Sequence, residues 1–248
     1  MLNLIEVKII FGVFFTSIIS GIIGMGGGVI LMGIYSHLLP IKLAMVLHGV
    51  TQFASNSSRC FLHRRNIKSN IIFPYLIGVL FMFLALKSVD FVPNKAVVYL
   101  LLGLFPFLSL FPKLASFFNI TRKYRPISSG LLVTAAQISS GASGGVLDIF
   151  YINSPLNRFQ IIATKACTQS IGHLTKLIYY LSFFTITDFE SHFRWWVYPA
   201  VAIVATLGSY IGKMILKNIN EIKFRSMSKG IIYFISILLL YKAYFLIK

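Results

Sequence analysis

Two stripes of polar and basic side chains interrupt long apolar stretches of this chain. The first holds His48, Thr51, Gln52, Asn56 and Arg59; the second holds Lys165, Thr168, Gln169, His173 and Lys176. Positions 48, 51, 52, 55 and 59 share one face of a 3.6-residue helix. Positions 165, 168, 169, 172 and 176 repeat that spacing, with His173 beside the stripe. Ionisable groups inside a membrane segment are costly and face a cavity or a partner. Cations, amides and hydroxyls converging there offer recognition of negative charge. The competing use is interhelical hydrogen bonding that only holds a bundle together. There is no HExxH, no Walker motif and no pair of membrane carboxylates, so the chain does not read as an enzyme. Cys60 and Cys167 lack CxxC spacing and clustered histidines, which argues against a disulfide framework or a metal site and for small packing residues. No cofactor is expected.

The elements that must position these stripes are marked by glycine. Gly24-Met25-Gly26-Gly27-Gly28 has an echo in Gly141-Ala142-Ser143-Gly144-Gly145, each amid apolar residues. Glycine costs about 1 kcal/mol per helix-interior position relative to alanine, so such a run marks a break. Broken backbone at bilayer depth is tolerated only where protein covers it or where it lines a cavity. Two breaks in corresponding positions point to a transporter's binding site. At Gly27, Gly28, Gly144 and Gly145, free backbone N–H groups and the positive end of a helix dipole would face an anion. Each Thr-Gln pair lies roughly 13 Å into its helix, near the middle of a ~30 Å hydrocarbon core. Breaks and pairs are therefore expected at one central site, with His48, Lys165, Arg59 and Lys176 lining the access paths. Asp148, the only acid well inside an apolar element, is the candidate to carry a coupling proton or to pair with Lys165. His37 and His63 read as interfacial, and Pro74, Pro106 and Pro199 as shaping helices.

Composition agrees with a membrane protein. Of 248 residues 57% are hydrophobic and 12% charged, and segments such as 9–36 and 69–86 carry no Asp, Glu, Lys or Arg. Several approach or exceed the ~18 apolar residues that cross a bilayer. Glu6, and an apolar run leading straight into glycines, argue against a signal peptide at the start. The formal charge of +17 sits at the ends of apolar segments, as topology signals do, and not as a nucleic-acid surface.

Shifting the chain by 117 residues lays Gly24 on Gly141, Gly27-Gly28-Val29 on Gly144-Gly145-Val146, Thr51-Gln52 on Thr168-Gln169, and Arg59 on Lys176. The expected architecture is an all-α polytopic membrane protein of two inverted repeats, each a glycine-broken hairpin followed by three transmembrane helices. The first repeat, 1–118, has its hairpin at 8–38 and helices at 42–62, 70–88 and 96–117. A basic cytoplasmic linker follows at 119–126. The second, 127–248, has its hairpin at 127–153 and helices at 160–185, 194–216 and 229–247. Inversion follows from charge. Three connections are basic: Arg59 to Lys68, Lys113 to Arg125, and Lys213 to Lys229; the one with Asp188 and Glu190 is acidic. Basic loops belong in the cytoplasm. Simple alternation across eight spans splits them, whereas hairpins that enter and leave on one side put all three inside. Six crossings with two re-entrant hairpins, or ten helices, both satisfy this.

At these residues the chain resembles the TauE/SafE family of sulfite exporter-like permeases. The resemblance rests on Gly21-Ile-Ile-Gly-Met-Gly-Gly-Gly-Val, Leu-Pro-Ile-Lys-Leu-Ala at 39–44, and the second copy Gly141-Ala-Ser-Gly-Gly-Val with Ala163-Thr164. It implies transport of small sulfur-containing anions such as sulfite and organosulfonates. Ser143 in place of Gly26, and Leu156-Asn157 in place of Leu39-Pro40, depart from the pattern at the second hairpin. The functional expectation is a secondary transporter of a small anion in the bacterial inner membrane. The anion is sulfite, an organosulfonate such as sulfoacetate, or thiosulfate; the coupling ion is a proton or sodium. A homodimer is compatible with this, and nucleic acid is not a partner. The alternatives are a passive anion channel or a non-transporting assembly subunit.

Overall fold

A computed structural model describes residues 4–23, 26–105, 107, 111, 117–152, 154–183 and 194–248. Among them are ten α-helices and no strand. They are α1 (Leu4–Ile23), α2 (Gly27–Leu38), α3 (Ile41–Leu62), α4 (Ser69–Lys87), α5 (Lys95–Leu104), α6 (Arg125–Ser140), α7 (Gly144–Ile152), α8 (Arg158–Leu181), α9 (Val197–Leu216) and α10 (Glu221–Ile247). The expected Pro106, Lys113, Asp188 and Glu190, and Gly24-Met25 of the first break, lie outside the described residues.

Local chemistry sets many of the ends. Pro40 precedes α3 and Pro126 stands in the first turn of α6, where a missing N–H costs nothing. Asn94 caps α5 through the Val97 N–H, and Asn157 with Gln160 forms a reciprocal capping box on α8. The last helix begins eight residues before the expected 229. Glu221, Lys223 and Arg225 read as loop by charge, yet Glu, Lys and Arg are good helix formers, and an acid suits a helix N-terminus.

The molecule carries apolar side chains outside and polar ones inside. Phe73, Leu80 and Phe81 of α4, Ile203 and Leu207 of α9, and Phe234 and Ile237 of α10 are exposed. His48, Gln52, Arg59, Lys165 and Lys176 are buried. Such a surface needs an apolar solvent. Three helical segments, Leu4–Ile22, Ser69–Lys87 and Val197–Leu216, are long and apolar enough to cross a membrane. Helices α3 and α8 are as long but carry the polar stripes, and they pack on each other at the centre.

The packing repeats under exchange of halves. Helix α1 packs on α9 as α6 packs on α4, and α5 pairs with α10. Both crossings are close approaches at glycine: Gly21 against Gly212, and Gly78 against Gly130 and the Ile127 carbonyl. Contacts also sort the two ends of the bundle. At one end Lys213 Nζ reaches the Leu62 carbonyl (3.4 Å), Arg158 donates to the Ile219 carbonyl, and Ile120 N–H donates to Phe150 O (2.8 Å). At the other, Lys87 donates to Ser182 (3.0 Å), Tyr179 donates to Phe91 O (2.9 Å), and Lys42 lies over the Phe183 ring.

Candidate functional site

Among the described residues, each glycine break contains one backbone conformation that only glycine adopts cheaply. Gly26 has φ +83° and Gly141 φ +81°, the left-handed region. The departure at Ser143 is thereby accounted for: it stands in register with Gly26, but the left-handed residue of the second break is Gly141. Ser143 instead gains partners. Its N–H (3.1 Å) and its hydroxyl (2.5 Å) both donate to Gln137 Oε1. The Gln137 amide nitrogen donates onward to the Gly141 carbonyl (3.2 Å) and to His173 Nδ1 (2.7 Å). Gln137 thus clasps the second turn and aims His173.

Residues 141–145 also fit the G-x-S-x-G pattern of a nucleophile elbow. The geometry is not that of an elbow. The turn joins helix to helix, and the Ser143 hydroxyl faces an amide oxygen, which does not serve as a general base.

The two breaks meet. Ser20, Gly26, Gly28 and Val29 from the first, and Ala142, Ser143 and Gly144 from the second, line one crevice with Gln52, Arg59, Gln169 and His173. Its free volume is about 10 Å³, room for a single water. Of the expected residues, Gly28, Gln52, Arg59, Gly144, Gln169 and His173 reach it. Gly27 packs behind the tip against Thr16 and Ser20, and Gly145 is buried in the first turn of α7. Thr51 bonds Tyr35 (3.1 Å) and Thr168 bonds back to its own helix (3.0 Å). Asn56 donates to the Gln52 carbonyl (2.7 Å) and accepts from Arg59 (2.5 Å).

The cations divide into two kinds. Lys165 is ion-paired with Asp148, both buried, and does not line the crevice. Arg59 and Lys176 have no carboxylate within ion-pair distance among the described residues. Arg59 donates to the Ser20 carbonyl at 2.8 Å, in the last turn of α1. Lys176 donates to the Gly141 carbonyl at 2.8 Å, just past the end of α6. These two residues, 117 apart in sequence, do the same work: each covers orphan carbonyls at the negative end of a broken helix. The positive ends, at the starts of α2 and α7, are left facing the crevice.

A hydrogen-bonded chain links the two breaks. His48 Nε2 meets the Gly28 carbonyl at 2.8 Å, so it carries the proton; Nδ1 then accepts from Lys176 at 2.7 Å. The His48 and His173 rings stand edge to face at 5.3 Å. The Gln52 amide nitrogen is buried without a partner. It lies beside Gly28, whose added Cβ would come within 3.3 Å of Gln52 Oε1. At the mouth of α3, His63 is stacked on Phe159 and held down to about 4, first by burial, then by Lys213 and Arg59. Cys60 and Cys167 are free thiols, each partly buried.

Sequence reading missed Ser20 and Gln137, and passed over the G-x-S-x-G match at 141–145. Gln137 had the same signal as Gln52, an amide inside an apolar element. Ser20 contributes a backbone carbonyl, which no side-chain pattern announces.

The packing behind the tips yields a stability contrast. A Cβ at Gly27 would collide with the Thr16 carbonyl and the Ser20 hydroxyl, whereas at Gly144 it meets nothing closer than Gln169 Nε2 at 3.8 Å. Gly27→Ala is expected to cost about 1–3 kcal/mol, the usual range for overpacking, and Gly144→Ala to leave the melting temperature in detergent unchanged.

No curated protein and no solved structure gives a significant match to this chain. The family model Sulfite exporter TauE/SafE matches residues 9–239, through both breaks and both polar helices, and the chain belongs to that family of membrane transporters.

Proposed function

We propose that the protein is a secondary transporter that carries a small sulfur-containing anion across the bacterial inner membrane by alternating access. The observation that carries the substrate charge is the crevice where the breaks meet. It gathers helix N-termini with, among the described residues, an unpartnered Gln52 amide and an Arg59 guanidinium that has no carboxylate beside it. An unpaired buried cation is expensive, and an anionic ligand offsets that cost. The substrate-binding set is Gly28, Gln52, Arg59, Gly144, Gln169 and His173. Gly27, Gly145, Thr51, Asn56 and Thr168 shape the set, and His48 and Lys176 bridge its halves. The small free volume favours a gated site over a standing pore, because a sulfonate enters only when the tips part. Asp148 Oδ2, buried without a partner, is where a coupling proton would sit beside Lys165.

The halves are read as inverted, with hairpins re-entering on opposite sides. Support comes from the ends of the bundle. The connections after α3, before α6 and after α9 gather at one end, and those after α4 and α8 at the other. With Cys60 and Cys167 replaced, cysteines at Ser69, Thr121 and Ser226 are expected to label from the cytoplasm and one at Ser88 from outside. Labelling of position 226 opposite 69 overturns the inversion.

The substrate assignment is tested by flux into proteoliposomes with sulfite, sulfoacetate, thiosulfate and chloride, under imposed proton or sodium gradients. Saturable flux of one sulfur anion, well above chloride, is expected. Flux linear in concentration identifies a channel, and absence of flux for every anion removes the transport reading.

A further inference from the structure

A second concavity lies at the membrane boundary, away from the crevice. It is a groove of about 390 Å³ between the starts of α4 and α6. Its rim carries Asn70, Arg122 and Lys123, and its floor Pro74, Ile77 and Ile127. Helices α4 and α6 both begin here, neither with a side-chain cap, so two positive dipole ends converge; in α6 Pro126 has no N–H and the Arg125 N–H is taken by the Arg122 carbonyl (3.1 Å), so its start attracts through the dipole more than through free donors. Tyr124 turns the chain into α6 through a left-handed conformation (φ 65°), which is strained for a tyrosine, and Arg122 and Lys123 immediately before it stay exposed. No Asp or Glu occurs between Asp90 and Asp148, so no acid of this connection neutralises the rim. The floor opens onto the exposed apolar stripe of α4, formed by Phe73, Ile77, Leu80, Phe81 and Leu84.

The geometry points to a binding site for one anionic phospholipid. The phosphate sits on Arg122, Lys123 and the two helix starts, and an acyl chain runs from the groove down α4. A basic rim above an apolar floor, on a helix that faces lipid, complements both parts of such a molecule. A free phosphate has no use for the floor, and a neutral lipid has none for the rim. The site stands on its own residues and is independent of the anion reading above.

The test is native mass spectrometry of the full chain from micelles doped with phosphatidylglycerol or phosphatidylcholine. Wild type is expected to retain one phosphatidylglycerol at energies that strip phosphatidylcholine. R122Q/K123Q should weaken retention about fivefold per basic residue removed, and the exposed pair R64Q/R65Q should not. Ile77→Trp fills the floor with every charge in place and should also displace the lipid. Soluble glycerol phosphate should not compete. Equal retention of both lipids by wild type overturns the site. Equal weakening by both basic pairs reduces it to general surface charge, and competition by glycerol phosphate makes it a phosphate site instead.

Discussion

Lys165→Met is expected to lower the unfolding free energy by about 3–5 kcal/mol, the range for stripping one partner from a buried ion pair. The Asp148 carboxylate it leaves behind is buried and already has one oxygen without a partner. The double variant Lys165→Met with Asp148→Leu removes both charges and should recover most of the loss, because an apolar pair of similar volume is often neutral or stabilising. Urea titration in detergent, read by tryptophan fluorescence, distinguishes the cases. If Lys165→Met keeps wild-type stability but loses saturable anion binding, the lysine belongs to the site and not to the scaffold.

Arg59→Gln should weaken sulfur-anion binding at least about 100-fold. Hydrogen bonds from charged donors contribute roughly 1.5–3 kcal/mol each, and the guanidinium also supplies the local charge. Glutamine keeps a donor for the Ser20 carbonyl, so the end of α1 retains some cover. Arg59→Lys should recover little, since three oriented contacts, to Ser20, Ser55 and Asn56, fix the guanidinium fork. Binding by isothermal calorimetry, with melting temperature as the folding control, checks this. Unchanged affinity in a folded Arg59→Gln protein would falsify the crevice as the anion site.

Much of the scaffold was legible because its signals are local. The spacing places α3 at 42–62 against Ile41–Leu62, and α4 at 70–88 against Ser69–Lys87. The two breaks announce themselves through glycine. The residue that turns the second break, Gly141, was visible as a glycine but not as the one with positive φ. The role of Ser143 was not legible, because its tie to Gln137 runs through tertiary geometry. The polar stripes were legible as stripes. The partition among their cations was legible only in part: the pairing of Lys165 with Asp148 was one of the two uses expected for that acid, but the hold of backbone carbonyls on Arg59 and Lys176 was not visible. Carbonyls belong to every residue and leave no trace in composition.

The crossed packing has a consequence for biosynthesis. Helix α1 rests on α9, and the glycine-to-glycine approach of Gly21 to Gly212 joins residues from opposite ends of the chain. When the ribosome has finished the first half of the chain, α1 still lacks the surface it will close on, and α4 lacks α6. The first break therefore has no enclosed place to settle until nearly the whole chain has been made. The two halves of the chain are not separable modules. A gene cut between them should yield functional protein only when both fragments are inserted together, and neither fragment alone should survive the cell's membrane proteases.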